Sequence, residues 1–501
     1  MKKLLFALPF ALVVLTACPN KKDSLDFDPS KERKVGYLFY TSFIDEFNPR
    51  LYETFARFKA AGITDLIVDL RYNHGGSIGA AGYLASLIAP RSAVQSKSVF
   101  SQLDFNSFLN SYYDARGGRS YKLGEFGSGQ SNPLGANLNL NTVYIIATSD
   151  SYSASELLTF CLRPYMNVVH IGEETGGKFT ASMTVTAYDS YGNKTNTIYE
   201  PAELSQGAKD SLKDWAMQPI VAIYKDSRNR DFATQATLVP NVPVTSREND
   251  SRAYLPLGNP ADYLIAATIS KIKGDNLSAV LDVPTIARSV STLQPAKLYV
   301  AKDALLKEAV LWRTNAESNQ TSVSASVNTV SQFVYDGMSV FYKWADDMAG
   351  KTPTASDSDP VSYFKKVLHP LDTQHGWSWI TDDVNSLLSD FSGEPVDFGW
   401  GLNLLWADAS RTRIVAVVKY VYPNTPAANA GITRGDVISQ INGNNITNNE
   451  GDAGYYMKLF GGSMINVAVT GANGATRSVG LTPVRISTNP VLKDTVYTVK
   501  K

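Results

Sequence analysis

The feature that most constrains the fold of this 501-residue chain is a regular alternation of short apolar runs with helical patterns over residues 34–274. The apolar runs cover residues 35–39, 65–70, 142–148 and 167–172, and the helical patterns cover residues 49–61, 78–88, 153–162 and 265–272. Strands that helices cover on both faces read as continuous apolar runs, without a polar alternation. The sequence therefore predicts that its largest unit is an α/β domain with a layered architecture.

The rest of the chain divides into segments of different texture. Residues 275–326 are partly rich in Ser and Asn and indicate a linker, whereas residues 327–391 place apolar residues at spacings of three and four, as a packed helical segment does. Residues 392–485 carry short β runs joined by Gly/Asn turns such as Asn442-Gly443 and predict a small β domain. Residues 486–501 are expected to return to the α/β core as a strand.

Residues 1–18 have the composition of a secretory signal. Two lysines precede about a dozen apolar residues, too few to cross a bilayer, and the stretch ends in Leu15-Thr16-Ala17-Cys18. This ending resembles the lipobox of bacterial lipoproteins, which implies lipidation of Cys18, with residues 19–33 as a tether. An ordinary cleaved signal that contains a Cys is the alternative. Lysines after Cys18, with no Asp directly behind it, favour anchoring in the outer membrane of a bacterial envelope, facing the periplasm.

Composition excludes several classes of function. The chain has 47 basic and 47 acidic side chains, so it lacks the basic surplus that nucleic-acid-binding proteins use to displace counterions. Its two cysteines and four histidines stand in no spacing typical of metal ligands. We therefore expect no nucleic-acid partner, no metal and no cofactor.

Two segments of the α/β domain could contribute to chemistry. Asp69-Leu-Arg-Tyr-Asn-His-Gly75-Gly76 follows a predicted strand, so its glycine amides could act as anion donors, although glycines at such turns often serve geometry alone. Ser153-Ala154-Ser155-Glu156 opens a predicted helix and fits a capping box. A serine at that position could instead be a nucleophile, with the Ala154 amide helping to hold an oxyanion.

A third segment, Gly172-Glu-Glu-Thr-Gly-Gly177-Lys178-Phe179, nearly spells a phosphate-binding loop. That loop requires Ser or Thr directly after the lysine and then a helix, whereas Phe179 stands there and residues 180–188 alternate like a strand. A nucleotide-binding enzyme is therefore kept only as a minor alternative.

Taken together, the three segments resemble the C-terminal processing, or tail-specific, serine peptidases. The resemblance implies a crotonase-like ββα catalytic core in which Ser153 is the nucleophile and Lys178 is the base, 25 residues later. It further implies an oxyanion site made by the amides of Ala154 and of Gly75 or Gly76. A lysine can act as a base only when it is neutral, so its pKa must fall well below the reference value near 10.4, which burial can achieve.

The sequence departs from that family's pattern at the residue that orients the lysine. The family has a glutamine four positions after the lysine, whereas this chain has Ser182. A hydroxyl of Ser182 or of Thr180 could hydrogen-bond the amine instead. His74, beside the candidate oxyanion glycines, leaves a serine–histidine arrangement open; otherwise it is a loop histidine.

The small β domain resembles the PDZ domains of bacterial proteases. The resemblance rests on Pro-Ala-Ala-Asn-Ala-Gly431-Ile-Thr-Arg-Gly435-Asp436-Val-Ile. It implies a PDZ domain over residues 392–485, with a carboxylate-binding loop that contains Gly399, Trp400, Gly401 and Leu402. PDZ domains bind a peptide as an added strand and capture its terminal carboxylate on backbone amides. A small β module without a ligand is the alternative.

In the family, the helical segment and the PDZ domain precede the core, whereas here both follow it. The residues near 492–499 resemble the strand that runs into the core's opening at Val35, so the order looks like a circular permutation. The sequence thus predicts a lipid-anchored serine endopeptidase that cleaves unfolded polypeptides or polypeptides with exposed, apolar C-termini. The alternative is a catalytically inactive peptide-binding lipoprotein.

Overall fold

The computed structural model describes residues 32–190, 196–248, 250, 253–275, 294–295, 327–447, 456–460 and 462–500. The predicted signal at 1–18 lies outside the described residues, as do nearly all of the tether at 19–33 and of the linker at 275–326. The positions of the domain boundaries stay predictions.

Twelve α-helices are assigned in the described part of the chain. They are α1 (Asn48–Ala61), α2 (Ile78–Ile88), α3 (Arg91–Gln95), α4 (Ser107–Asp114), α5 (Ala154–Cys161), α6 (Gln206–Leu212), α7 (Tyr263–Lys273), α8 (Thr329–Phe341), α9 (Pro360–Val367), α10 (Pro370–His375), α11 (Val384–Phe391) and α12 (Pro426–Asn429).

The described part of the chain also contains twenty-three strands. They are β1 (Arg33–Tyr40), β2 (Asp65–Asp69), β3 (Val99–Asp104), β4 (Ser120–Lys122), β5 (Thr142–Ala147), β6 (Asn167–Gly172), β7 (Thr180–Ser182), β8 (Val185–Thr186), β9 (Asn196–Thr197), β10 (Ala216–Gln218), β11 (Ile220–Asp226), β12 (Val242–Pro243), β13 (Gln294–Pro295), β14 (Trp379–Thr381), β15 (Val396–Asp397), β16 (Trp400–Trp406), β17 (Arg413–Val421), β18 (Val437–Ile441), β19 (Asn444–Thr447), β20 (Ile465–Thr470), β21 (Thr476–Leu481), β22 (Val484–Arg485) and β23 (Val491–Val499).

The predicted α/β domain is confirmed, and a six-stranded sheet lies at its centre. The strand order is β12-β6-β5-β2-β1-β23, and every pairing is parallel except that of β23 with β1. Successive residues of a strand face opposite sides of a sheet. Accordingly Val68 packs in the cluster that contains α1, α2 and α5, while Ile67 packs in the cluster that contains α7. Both faces are covered, which explains the continuous apolar runs.

Two four-stranded sheets stand beside the central one, with orders β4-β3-β11-β7 and β14-β10-β8-β9. The alternation over residues 180–188, which predicts one strand, is divided in the structure between β7 and β8. These two strands pair with different partners, β11 and β10, so the chain changes sheet within a few residues. Tertiary pairing thus overrides the local pattern.

The helical segment packs onto the core. Phe333, Val334, Met338 and Phe341 of α8 are buried in the same cluster as the core helices, which confirms that the spacing of apolar residues marks a packing surface. The segment also supplies one strand, because β14 pairs antiparallel with β10, with Trp379 opposite Gln218. The helical segment therefore contributes a strand to one of the sheets of the α/β domain.

The predicted small β domain is confirmed as a seven-stranded sheet with order β13-β16-β17-β19-β18-β20-β21 and a core cluster of its own. Asn442 and Gly443 have φ angles of 51° and 79°, as expected for the two central residues of a hairpin turn of type I′, and they join β18 to β19.

The last described strand lies beside the first. β23 runs antiparallel to β1, with Val499 opposite Arg33 and Tyr497 opposite Val35. This is the expected return to the core. That the domain order arose by circular permutation stays a prediction.

Candidate active site

The three sequence segments meet at the carboxyl ends of β2, β5 and β6, where they border a cleft of about 640 Å³. Side chains or backbone of Ser153, Lys178, Gly75 and Gly76 line this cleft. Parallel strands bring their carboxyl ends to one edge of the sheet, which is the usual place for a site in an open α/β fold. The two predicted catalytic residues therefore face the same space.

Ser153 occupies the turn between β5 and α5 in an unusual backbone conformation. Its φ is 53° and its ψ is −111°, whereas an ordinary helix-capping serine is extended. A positive φ is rare for a residue with a side chain and carries a cost in free energy that the surroundings must offset. Strain of this kind is concentrated at functional sites.

The turn is held by hydrogen bonds from its own polar side chains to the loop that follows β2. Thr148 Oγ1 donates to the carbonyl of Arg71 (2.6 Å), Ser151 Oγ to that of Leu70 (2.8 Å) and Ser155 Oγ to that of Asn73 (2.8 Å). These bonds fix the serine-bearing turn against the glycine-bearing loop and offset the strain at Ser153.

Glu156 joins the serine turn to the lysine loop. Its carboxylate is buried and accepts hydrogen bonds from the amides of Ser153 (2.9 Å), Gly177 (2.8 Å) and Lys178 (2.8 Å) and from Thr175 Oγ1 (2.5 Å). Burial raises the pKa of Glu156, and these bonds lower it in part. The capping-box interpretation of the sequence finds the bond to Ser153 but misses the link to Lys178.

Lys178 follows β6 and is half-buried in the cleft wall. Burial lowers the pKa of Lys178 from its usual 10.5, while the carboxylates of Asp372 and Glu156 offset part of that lowering. A lowered pKa is what a lysine needs in order to accept a proton.

The candidate oxyanion donors are packed against Ser153. Gly75 has a φ of 104°, and a β-carbon built on it would lie 2.7 Å from the Ser153 β-carbon and 3.0 Å from the Ala154 amide nitrogen. The Gly75 amide already donates to Asn73 Oδ1 (2.8 Å). The amides of Gly76 and Ala154 are therefore the better candidates among the three predicted residues.

The residues predicted to orient the lysine lie on β7. Ser182 lines the cleft and accepts a hydrogen bond from Gln218 Nε2 (3.0 Å). Thr180 is fully buried, and its Oγ1 has no hydrogen-bond partner among the described residues. Gln218, which sequence reasoning missed because it lies 40 positions after Lys178, also lines the cleft.

Tyr224 on β11 is a second residue that sequence reasoning missed. Its hydroxyl donates to the Lys178 carbonyl (2.7 Å) and lies 3.4 Å from Ser153 Oγ. Nothing in the local sequence signals this contact, because Tyr224 comes 46 residues after Lys178. The Tyr224 hydroxyl thus lies between Ser153 Oγ and the backbone carbonyl of Lys178.

His74 lines the cleft at its exposed rim, with its ring edge-to-face against Tyr152 at 5.9 Å between centroids. Tyr152 lies between His74 and the loop of Lys178, since a β-carbon on Gly176 would fall 2.1 Å from the Tyr152 ring. The position fits the interpretation of His74 as a loop histidine.

The nucleotide alternative loses support in the structure. A phosphate-binding loop needs unpaired amides, yet Gly176 N donates to the Ser151 carbonyl (3.0 Å), and the next two amides donate to Glu156. A strand, β7, follows the loop in place of a helix.

The predicted carboxylate-binding loop of the small β domain precedes and opens β16. Trp400 is buried, and its indole donates to the Leu459 carbonyl (2.7 Å). The Gly399 amide donates to Asp397 Oδ1 (2.6 Å). β16 pairs with β17 on one side. On its other side, the one pairing among the described residues is that of β13 with Leu405 and Trp406. The edge over Gly401 and Leu402 is therefore open within the described structure.

The described residues hold neither a candidate metal centre nor a candidate membrane-spanning helix. They contain no group of three or more His, Cys, Asp or Glu side chains arranged to hold a metal ion. Nor does any of their helices combine the length and the apolar character that crossing a membrane requires.

Comparisons with solved structures found proteases among the similar chains. A Bacteroides fragilis protein named for the S41 proteases is 25% identical, with 48% of this chain and 55% of that chain covered and a TM-score of 0.36. The photosystem II D1 C-terminal processing protease is 15% identical, with 42% of each chain covered and a TM-score of 0.28. A lipoprotein from Streptococcus agalactiae is 16% identical, with 42% of this chain and 61% of that chain covered and a TM-score of 0.27.

The chain thus spans less than two thirds of each of these relatives. The comparison with curated proteins found no match. Residues 34–203, which contain all three cleft segments, match peptidase family S41, and residues 417–464 match the PDZ domain. The part of the chain that forms the cleft is therefore similar to the S41 peptidases, and a segment that matches the PDZ domain follows it.

Proposed function

We propose that this protein is a lipid-anchored serine endopeptidase that hydrolyses unfolded or C-terminally exposed polypeptides with a Ser153–Lys178 dyad. The observation that carries the proposal is the position of the two residues. They line one cleft, on two loops that the same buried carboxylate, Glu156, holds together. The match of this core to the S41 peptidases supports the same conclusion.

In the proposed reaction, neutral Lys178 accepts the hydroxyl proton of Ser153 while Ser153 Oγ attacks the carbonyl carbon of a peptide bond. The tetrahedral intermediate collapses when the C–N bond breaks, and Lys178 returns the proton to the leaving amine. Water then attacks the acyl-enzyme with Lys178 again as the base, which releases the acid product and restores Ser153. Proton transfer by a positioned base contributes about 10²–10⁴-fold to the rate.

The negative charge of each intermediate develops on the former carbonyl oxygen. The amide of Ala154 at the start of α5 and the amide of Gly76 would donate hydrogen bonds to it. The N-terminus of an α-helix carries a partial positive charge, which adds to this stabilisation. A single oxyanion donor is worth about 10²–10³-fold in kcat.

The PDZ domain would select substrates by their C-terminal ends. The open edge of β16 could accept a peptide as an added strand, and the loop with Gly399, Trp400, Gly401 and Leu402 would receive its carboxylate. Peptides ending in apolar residues should bind as free acids, and the same peptides with amidated ends should bind at least about tenfold more weakly, since the carboxylate contact is lost. Fluorescence anisotropy measures both.

We further propose attachment through Cys18 to the outer membrane of a bacterial envelope, facing the periplasm. The support is the residue pattern of the first 18 positions. Metabolic labelling with a radioactive fatty acid should label the wild type and leave Cys18→Ala unlabelled. Label on the variant would contradict the anchor.

The dyad is tested by cleavage of an unfolded protein such as β-casein, followed by mass spectrometry. Ser153→Ala and Lys178→Ala should each abolish turnover with the melting temperature preserved, whereas Lys122→Ala, on the exposed β4, should cleave like the wild type. An active Lys178→Ala would overturn the dyad and favour the serine–histidine arrangement with His74. A wild type that binds peptides without cleaving any substrate would favour the inactive peptide-binding lipoprotein.

A further inference from the structure

Gln218 reaches the cleft from a distant part of the chain. It ends β10, whose pairing with β14 places Gln218 opposite Trp379, and both residues line the cleft that contains Lys178 and Ser153. Only 7% of Gln218 is exposed. Its amide is thus a buried polar group beside the predicted base.

The two ends of this amide differ. Nε2 donates to Ser182 Oγ (3.0 Å), whereas Oε1 is buried and has no hydrogen-bond partner among the described residues. A buried acceptor without a partner costs about 1–3 kcal/mol. A donor for the Gln218 amide oxygen is therefore expected, and none of the described residues donates to it in this conformation.

Lys178 is a donor of the right kind in the same cleft. An amine that acts as a base must direct its lone pair at the serine hydroxyl, and its remaining N–H groups then need acceptors on other sides. The Gln218 amide oxygen is one such acceptor. Ser182 Oγ, which already accepts from Gln218, keeps a second lone pair and is another.

We propose that Gln218 is a positioning residue of the dyad: its amide oxygen accepts an N–H of Lys178 when the site is engaged, while its amide nitrogen bonds Ser182. The glutamine thereby directs the lysine lone pair at Ser153 Oγ. Ser182 acts on Lys178 chiefly by holding the amide in this orientation. The inference rests on the proposed function, since it assigns a partner to the base of that reaction.

The test compares Gln218→Met with Gln218→Glu and with a matched control, Gln332→Met. Gln332 is also 7% exposed, but it lies on α8 and bonds Asp336, away from the cleft. Methionine keeps the length of the side chain without the acceptor, and glutamate keeps the acceptor and adds a negative charge. The kcat, KM and pH profile of casein-derived peptide cleavage are measured for each variant.

Gln218→Met should lower kcat by about tenfold or more, with KM changed less than about threefold, because the base loses its orientation rather than the substrate its contacts. The acidic limb of kcat/KM should move to lower pH in Gln218→Met, since the charged amine loses an acceptor, and to higher pH in Gln218→Glu, where a carboxylate stabilises the ammonium. Glu156 and Asp372, the other carboxylates that act on Lys178, are unchanged in both variants. Gln332→Met should match the wild type.

Unchanged kcat and pH profiles in both Gln218 variants would overturn the inference. An increase in KM alone would overturn it too, because it would assign the amide oxygen to a backbone N–H of the substrate. These outcomes are separate from failure of the dyad, which an active Lys178→Ala would reveal. If the wild type cleaves nothing, the pH dependence of Lys178 acetylation by acetic anhydride is measured by mass spectrometry instead. The pH at which Lys178 becomes reactive should then be lower in Gln218→Met and higher in Gln218→Glu than in the wild type, and any other result would contradict the inference.

Discussion

The surroundings of Ser153 and of the Lys178 side chain differ in their hydrogen bonding. Around the serine, three hydroxyls of one short turn each donate to a carbonyl of the neighbouring loop, at 2.6–2.8 Å. In the cleft that contains the lysine, the buried Gln218 Oε1 has no hydrogen-bond partner within the described structure. The hydroxyls of the serine turn are thus engaged in hydrogen bonds, while the cleft wall that contains Gln218 retains an unused acceptor.

This difference fits the roles proposed for the two groups. A nucleophile is needed at one fixed point next to the oxyanion amides, so a rigid and strained turn suits it. A base must exchange a proton, and its amine makes a different number of hydrogen bonds in its two protonation states. The unused acceptor of Gln218 allows for that change. Glu156 accepts hydrogen bonds from both loops and thereby fixes the position of one loop relative to the other.

The largest effect is expected from Glu156→Ala, because it removes the carboxylate that connects the two loops. Three amides, of which that of Gly177 is buried and the other two are partly buried, and the buried Thr175 hydroxyl lose their acceptor. With each unsatisfied buried donor costing about 1–3 kcal/mol, the free energy of unfolding should fall by at least about 3 kcal/mol, and peptidase activity should be lost. Urea denaturation and casein cleavage measure the two effects.

The control for this experiment is Glu125→Ala, which removes an exposed glutamate that accepts a bond from the Lys122 amide. It should change stability by less than about 0.5 kcal/mol. If Glu156→Ala were as stable and as active as this control, the two loops would be independent of each other and the comparison would fail.

The same contrast explains what the sequence could predict. The strands and helices of the core follow from apolar runs and helical periodicity, and the serine turn is a local motif, Ser153 to Glu156, so its place between β5 and α5 is predictable. The surroundings of Lys178 come from β10, β11 and α10, which contribute Gln218, Tyr224 and Asp372. No local pattern brings such distant residues together. The sequence could therefore name a candidate base but not the side chains around it.

The next effect concerns the contact between the two loops. Gly176 has no left-handed backbone to maintain, yet a β-carbon there would fall 2.1 Å from the ring of Tyr152. Gly176→Ala should displace Tyr152 and the adjacent Ser153, destabilise the fold by about 1–3 kcal/mol and lower kcat by up to about 10²-fold. Gly207→Ala, where the added carbon would meet nothing within 4 Å, is the matched control.

A double variant distinguishes the ring contact from other causes. Tyr152→Ala in the Gly176→Ala background removes the clash, so part of the lost stability should return. If the double variant were less stable than Gly176→Ala alone by the full cost of Tyr152→Ala, the ring contact would not be the reason for the glycine.

The lysine side of the comparison predicts a pH-dependent stability. Burial lowers the folded-state pKa of Lys178 below 10.5, so between that lowered pKa and 10.5 the unfolded chain binds a proton that the folded chain does not. Lowering the pH through this window should therefore destabilise the wild type relative to Lys178→Met, by about 1.4 kcal/mol for each pH unit that separates the folded-state pKa from the unfolded-state pKa. Urea unfolding of both proteins at about pH 7 and about pH 10.5 measures the change. If the free energies of unfolding of the wild type and of Lys178→Met differed by the same amount at both pH values, a lowered pKa of Lys178 would be contradicted.

The smallest effect is expected from Tyr224→Phe, which removes the hydroxyl that touches both loops. The bond to the Lys178 carbonyl (2.7 Å) should be worth about 0.5–1.5 kcal/mol in stability. Tyr83→Phe is a close match, because the Tyr83 hydroxyl also donates to a carbonyl, that of Ser131, at 2.7 Å, and the residue is equally buried but lies on α2. Both variants should lose similar stability. Only Tyr224→Phe should lower kcat, by less than about tenfold, because its hydroxyl, unlike that of Tyr83, lies within 3.4 Å of Ser153 Oγ. Equal kcat in the two variants would mean that Tyr224 supports the lysine loop as a structural bond alone and that the serine turn needs no help from outside its own hydroxyls.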